Sequence, residues 1–137
     1  MKHGLTLGRD HWQEMLEHVD THAPLEACGL LAGKGNRVER VLPVRNRAQS
    51  PVRFVMDPYE QLKAFEWIDS IGLDLLGIFH SHPAGPEIAS VTDIAEAAYD
   101  VVHLIWSRPE GQGGQWLARA FRIENDSAAE VSLQIVD

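Results

Sequence analysis

A mainly apolar run at residues 73–79 leads directly into His80-Ser81-His82-Pro83, and this stretch constrains the fold more than any other. Its length and composition predict a buried β-strand. Side chains at positions i and i+2 of a strand point to the same face, so His80 and His82 can converge on one point. The stretch therefore predicts a buried strand that presents two imidazoles side by side.

A six-residue loop with a turn-forming Gly85-Pro86 pair separates Pro83 from Ser90-Val91-Thr92-Asp93. The loop can return the chain so that Asp93 meets the two imidazoles. Two neutral histidines and one carboxylate are ligands that zinc accepts, and they leave a fourth tetrahedral position for water, as in catalytic sites. Ser90-x-x-Asp93 also fits a helix N-cap, and the two interpretations are compatible because a helix start can present both a cap and a ligand.

Glu26 is the only charged residue in the otherwise apolar run 25–32. Burying a lone carboxylate costs several kcal/mol unless it is paired, hydrogen-bonded or close to a metal. Glu26 is therefore predicted either at a solvent edge or in a working pocket, and the predicted cation site favours the pocket. Cys28 lies in the same run, where burial predicts an inert thiol.

The rest of the chain predicts alternating helices and strands. Helices are predicted at 9–22, after Asp57 and after Ser90, and strands at 5–7, 38–44, 54–56, 101–106, 117–123 and through the alternating apolar residues of 131–135.

In the first helix, the histidines at 11, 18 and 22 lie outside the apolar stripe and are predicted to face solvent. The second helix is predicted to pack through Tyr59, Leu62, Phe65 and Ile68, and the third through Ile94, Ala97 and Ala98. His103 is predicted to be a satisfied core histidine rather than a fourth ligand. Residues 1–137 are thus predicted to form a single α/β domain with a central mixed β-sheet flanked by helices.

Two loops are candidate rims of a site. Residues 45–53 hold three of the twelve basic residues, and they form either a solvated connection or a flap that contacts substrate. Residues 107–115 form a glycine-rich loop and a second candidate rim.

Composition excludes several classes of partner. The formal net charge of -8 argues against nucleic acid or an anionic membrane as the main partner. No apolar run approaches the roughly 18 residues that would span a bilayer, and the first ten residues lack the apolar region of a secretory signal. A single cysteine cannot form an intrachain disulfide, which agrees with a reducing, cytoplasmic location.

Five positions together resemble the signature of the JAMM (MPN+) metallopeptidases: Glu26 ahead of Cys28-Gly29-Leu30-Leu31, then His80, His82, Ser90 and Asp93. Phe54-x-Met56-Asp57-Pro58 and Gly77-x-Phe79 are similar to the family too. The resemblance implies a cytidine-deaminase-like layout and one catalytic Zn²⁺ per chain, bound by His80, His82 and Asp93. It further implies that Glu26 acts as general base and acid, and that Ser90 donates a hydrogen bond to the oxyanion.

Small stand-alone members of this family resemble peptidases that release ubiquitin-like or sulfur-carrier proteins. The resemblance therefore implies hydrolysis of a peptide or isopeptide bond after the Gly-Gly terminus of such a carrier. A zinc nucleoside deaminase would need a Cys-x-x-Cys pair, which one cysteine cannot supply. A thiol hydrolase using Cys28 is disfavoured by the apolar surroundings. A non-catalytic MPN-type scaffold is the remaining alternative.

Overall fold

The computed structural model describes residues 4–108 and 114–137. Within these residues the elements are β1 (Leu5–Gly8), α1 (Arg9–His22), β2 (Cys28–Lys34), β3 (Arg37–Val44), α2 (Pro58–Ser70), β4 (Asp74–His82), α3 (Val91–Ala95), β5 (Val102–Ser107), β6 (Leu117–Glu124), β7 (Ser127–Val131) and β8 (Leu133–Val136). The predicted α/β architecture with a central mixed sheet is confirmed. Most of the predicted 107–115 rim, residues 109–113, lies outside the described residues. No helix in the described part of the chain is long and apolar enough to cross a membrane.

The strands form one sheet in the order β7-β6-β5-β4-β2-β3-β1-β8. Strand β4 lies near its middle, antiparallel to β2 and parallel to β5, so the sheet is mixed as predicted. The final six residues of β4, 77–82, are all buried. The strand predicted at 73–79 is thus confirmed, and it continues through both histidines because they pair with β2 and β5.

The two edges of the sheet come together. Strands β7 and β8 stand at opposite ends of the strand order, yet only Ser132 separates them in the chain. Since consecutive Cα atoms are about 3.8 Å apart, the sheet must curl until its edges are neighbours. The single strand predicted through 131–135 is therefore wrong: Val131 pairs with β6, whereas Leu133 pairs with β1. The alternating pattern shows which face of a strand is buried, but it does not show which strand each residue pairs with.

Each face of the sheet is covered by one long helix. Helix α1 has the predicted bounds and buries Met15 and Val19 in a core cluster that also contains Phe79 of β4. Helix α2 packs on the other face through Ile68, against a cluster that contains Cys28 and Ile78. The predicted N-cap of α2 is confirmed, because the Asp57 carboxylate accepts hydrogen bonds from two backbone N–H groups of its first turn.

Three sequence predictions on this face need correction. Tyr59 and Leu62 do not pack: they are 68% and 56% exposed, because α2 is rotated so that Ala64, Phe65 and Ile68 meet the sheet. Helix α3 is a single turn that ends before Ala97 and Ala98. The segment 54–56 is not a strand, and only an isolated bridge joins Met56 to Asn46.

Candidate active site

Strand β4 brings the two predicted imidazoles together. The Nε2 atoms of His80 and His82 are 3.1 Å apart, and the two residues are 1% and 4% exposed. Register with the neighbouring strands places Cys28 of β2 and Ile105 of β5 beside His80. Buried apolar strands on both sides therefore fix the imidazoles and shield them from water.

The start of α3 delivers the carboxylate. The Ser90 hydroxyl accepts a hydrogen bond from the Asp93 N–H at 3.0 Å, and the Ser90 N–H donates to Asp93 Oδ2 at 2.8 Å. This capping box leaves the Asp93 oxygens 3.2 Å from His80 Nε2 and 3.0 Å from His82 Nε2. The predicted cap at Ser90 is confirmed, and the same turn that caps the helix also orients Asp93.

The protonation state of the two His82 ring nitrogens determines whether this centre can bind a cation. Its Nδ1 lies 2.8 Å from the Pro86 carbonyl oxygen, which can only accept, so Nδ1 carries a hydrogen. In the neutral ring Nε2 then presents a lone pair to Asp93 and His80, and such an arrangement is repulsive unless a proton or cation is shared. Ligand atoms of a tetrahedral zinc ion stand about 3.3 Å apart, given bonds of about 2.0–2.1 Å. The spacing and chemistry of these three side chains therefore fit a divalent metal.

A proton takes the cation's place when no metal is bound. Burial has the largest single effect and lowers the pKa of His82, but the hydrogen bonds to Asp93 and to the Pro86 carbonyl, with the nearby carboxylates, together outweigh burial and raise that pKa above its ordinary value. Burial opposes ionisation of Asp93, yet hydrogen bonds from both imidazoles hold its pKa well below the usual range. For the fully buried His80, desolvation dominates and lowers the pKa. Below the raised pKa of His82, a metal must therefore displace a proton that His82 and Asp93 share.

Glu26 lies beside this centre rather than at a solvent edge. It is 4% exposed, and its carboxylate shares a site with His80 and His82 in which the ligand atoms lie within 4.8 Å of one another. Its Oε1 atom has no hydrogen-bond partner among the described residues. Burial raises the pKa of Glu26 to about 8, against the opposing effect of His82. Because Asp93 contacts both imidazoles, it suits the third ligand position, and the carboxylate of Glu26 then lies beside the centre without being needed as a ligand.

Two residues that the sequence did not single out hold Glu26 in place. Asn46 Nδ2 donates to the Glu26 carbonyl at 3.0 Å, and the Ser81 hydroxyl accepts from the Ala27 N–H at 2.8 Å. Ser81 lies between the two histidines, so it ties the Glu26 segment directly to β4. For Asn46 the sequence showed only that it lies in a polar loop. Ser81 could have been identified because, between His80 and His82 on a strand, its side chain points to the opposite face.

We expect Asn46→Ala to lower kcat about tenfold or more without loss of bound metal. The side chain joins four backbone groups, since Nδ2 also donates to the Arg53 carbonyl and Oδ1 accepts from Ala48 and Val55 N–H. A displacement of about 1 Å can cost about 10²-fold in rate. Steady-state kinetics with elemental analysis measure both effects. Asn36→Ala, at an exposed hairpin turn, is the matched control, and equal kcat in the two variants would contradict the prediction.

Cys28 and His18 take no part in the metal centre. The Cys28 thiol is fully buried, donates to the Val44 carbonyl at 3.3 Å, and has its pKa raised by burial to about 12. A thiolate nucleophile is therefore excluded, as the sequence predicted. His22 is exposed as predicted, but His18 is half-buried against Phe79 and bonds the Cys28 carbonyl. His11 is also partly buried, so the prediction of solvent-facing histidines is wrong for these two.

A groove of about 280 Å³ opens beside the centre. Residues 53–56 form one wall, α3 and the segment that follows it form the other, and His80 and Asp93 lie at one end. Arg53 Nη2 and Glu96 Oε1 are 2.9 Å apart, so an exposed ion pair links the two walls. The end of the 45–53 loop thus borders the site.

Comparison with known proteins identifies the family. A sequence family described as prokaryotic homologs of the JAB domain matches residues 8–124. The desampylase of Pyrococcus furiosus is 37% identical over 126 residues, which cover 91% of this chain and 86% of that protein. The CysO-cysteine peptidase of Mycobacterium tuberculosis is 30% identical over 135 residues, 97% and 92% of the two chains. A protein of Desulfitobacterium hafniense with a known solution structure is 38% identical, with a TM-score of 0.85 and coverage of 97% and 93%. The chain therefore belongs to the prokaryotic JAB-domain family, the JAMM (MPN+) group that its signature resembles.

Proposed function

We propose that this chain is a zinc-dependent metallopeptidase that hydrolyses the bond after the Gly-Gly terminus of a ubiquitin-like or sulfur-carrier protein. The observation that carries the proposal is the convergence of His80, His82 and Asp93 beside the buried Glu26, whose Oε1 has no hydrogen-bond partner among the described residues. The names of the two relatives, a desampylase and a CysO-cysteine peptidase, support a hydrolase of this class. We further propose that residues 1–137 act as one catalytic domain in the cytoplasm.

In this mechanism His80, His82 and Asp93 would hold the zinc ion. When bound, zinc would polarise a water molecule and lower its pKa towards about 7. Glu26 would accept a proton from the attacking water and return it to the leaving amine. A carboxyl whose pKa is raised by burial to about 8 suits a group that must both take up and release a proton near neutral pH.

Ser90 stabilises the developing negative charge. Its oxygen accepts from the Asp93 N–H, which leaves the hydroxyl hydrogen free to donate to the scissile carbonyl oxygen. Donors aimed at a developing oxyanion supply a large share of catalysis in acyl transfer. Asp93 is thereby oriented by the same residue that contacts the substrate.

The substrate tail would bind as an added strand along residues 54–56. Arg47 N–H donates to the Val55 carbonyl and Asp57 N–H to the Arg45 carbonyl, so one side of this segment is already paired. In an antiparallel pair, the backbone groups of the alternate residues Phe54 and Met56 then point the other way. Both residues line the groove, so an extended peptide can pair with this free edge.

The size of the groove favours a narrow substrate tail, and the positive charge beside it favours an acidic carrier protein. Its volume of about 280 Å³ lies at the low end of ligand pockets and suits glycine better than branched residues. Arg45 and Arg47 are exposed on the loop that leads into the groove. Their charge would attract an acidic carrier and offset the repulsion from the net charge of -8.

A cleavage assay tests the proposal. The zinc-loaded protein is expected to cleave a carrier fusion after Gly-Gly, and replacement of the last glycine by valine is expected to abolish cleavage because the branched side chain cannot pass the groove. Products are identified by mass spectrometry, and a fusion with valine one residue beyond the bond is the control. Equal turnover of the Gly-Gly fusion and the fusion with valine in place of the last glycine would indicate a general metallopeptidase. A protein that binds carrier and zinc but cleaves no fusion would be the scaffold alternative.

A further inference from the structure

The groove contains a buried polar atom that the mechanism does not use. His103 of β5 is 6% exposed and lines the cavity, and its Nε2 has no hydrogen-bond partner among the described residues. The sequence predicted a satisfied core histidine, and the structure confirms burial but not satisfaction. Because leaving a buried polar atom unpaired is costly, such an atom at a cavity wall points to a ligand.

The ring of His103 offers an acceptor. It makes a backbone hydrogen bond at Tyr99 that favours the protonated ring, so the ring donates there to a carbonyl. Nε2 is the unpartnered atom, and therefore Nδ1 carries the hydrogen. Burial lowers the pKa of His103 to about 4, which keeps the ring neutral at physiological pH and Nε2 a hydrogen-bond acceptor.

His80 supplies the complementary donor. In the metal-bound protein Nε2 of His80 is reserved for the metal, so Nδ1 carries the hydrogen, and Nδ1 is also buried without a described partner. Metal-binding histidines almost always donate this second N–H to an acceptor. The same cavity is thus lined by one residue with an unused donor and one with an unused acceptor. Both atoms are covered in this conformation, so a ligand reaches them when the side chains that line the groove shift.

An extended peptide matches this pair. In a strand, the N–H and C=O of one residue point to the same side, and those of the next residue point to the opposite side. One residue of a tail in the groove can therefore face His80 and His103 while its neighbours face the free edge of Phe54 and Met56.

We propose that His103 and His80 form a backbone-recognition subsite for the substrate tail. His103 Nε2 accepts from the N–H of one tail residue, and His80 Nδ1–H donates to the C=O of that same residue. The subsite rests on the proposed function and adds to it a reason for binding extended chains. It leaves the side chain of the bound residue free, so it contributes affinity rather than sequence preference.

The test compares wild type, His103→Leu and His103→Gln. Measured are the KM and kcat for the Gly-Gly fusion, zinc content, and calorimetric binding of the cleaved carrier to the zinc-loaded protein. Loss of one hydrogen bond is expected to raise KM and the carrier Kd about tenfold in His103→Leu, with kcat and zinc content within about twofold of wild type. His103→Gln retains an acceptor and is expected to recover part of the affinity.

Val102→Ala is the matched control. Val102 precedes His103 on β5 and packs in the α1-side core, so this variant is expected to lower Tm without changing KM. If His103→Leu does not fold, His103→Ala, which also lacks an acceptor, replaces it with the same expected rise in KM. The subsite would be overturned if His103→Leu, or its replacement, kept the wild-type KM and Kd. It would also be overturned if that variant lost zinc while its KM stayed unchanged. Either result would indicate that His103 Nε2 binds a structural water only. A wild-type protein that neither cleaves nor binds the carrier overturns the proposed function and the subsite with it.

Discussion

Replacing Glu26 by glutamine is expected to lower kcat by about 10²–10⁴-fold, the usual contribution of a general base. The change is nearly isosteric and removes the ability to take up a proton. No ion pair of Glu26 is lost among the described residues, and the backbone hydrogen bonds from Asn46 and to Ser50 are untouched. Removing a carboxyl from a buried site costs no charge pairing, so the fold and the zinc content are expected to stay as in wild type.

Single-turnover kinetics on the Gly-Gly fusion, with thermal unfolding and elemental analysis, separate these effects. Cys28→Ala, two residues further along at the start of β2, is the matched control, because its thiol is held protonated by burial and donates to the Val44 carbonyl. This variant is expected to keep most of its activity. An inactive Cys28→Ala beside an active Glu26→Gln would establish a thiol hydrolase and refute the assignment of Glu26.

His82→Ala is expected to reduce bound zinc from about one ion per chain to nearly none. The variant removes one of three side chains whose ligand atoms converge within 3.2 Å, and it leaves the Pro86 carbonyl without its donor. His22→Ala removes an exposed histidine instead and serves as the control. Elemental analysis after dialysis gives both metal contents, and full zinc in His82→Ala would rule out this centre.

The pH dependence of zinc binding follows from the same contacts. In the zinc-free protein the hydrogen bonds to Asp93 and the Pro86 carbonyl, with the nearby carboxylates, together outweigh burial and raise the pKa of His82 above 6.5. Above that raised pKa the imidazole is already neutral and affinity is at its full value. Below it a proton must be displaced, so affinity is expected to fall about tenfold per pH unit. Titration with a competing chelator between pH 5 and about 8 measures the slope, and a flat profile would show that His82 is not a ligand.

Patterns of short range were sufficient for much of this molecule. The period-two spacing in β4 placed His80 and His82 on one face, and Ser90-x-x-Asp93 predicted the capping box that orients the carboxylate. The bounds of α1 and the N-cap of α2 followed equally from local periodicity and capping. Each of these features depends on backbone geometry within a few residues, which the sequence encodes directly.

Contacts between distant segments were decided only by the tertiary structure. Apolar surroundings indicated that Glu26 would be buried near a cation. The hydrogen bonds from Asn46 and to Ser81 that position the Glu26 segment depend on a loop and a strand that are distant in sequence. The strand pattern at 131–135 could not show that Ser132 divides it between two edges of a curled sheet. Nor could the sequence show that His103 Nε2 has no hydrogen-bond partner among residues 4–108 and 114–137. Periodicity fixes which face of an element is buried, whereas partner strands and unpaired polar atoms depend on long-range packing, which no local pattern encodes.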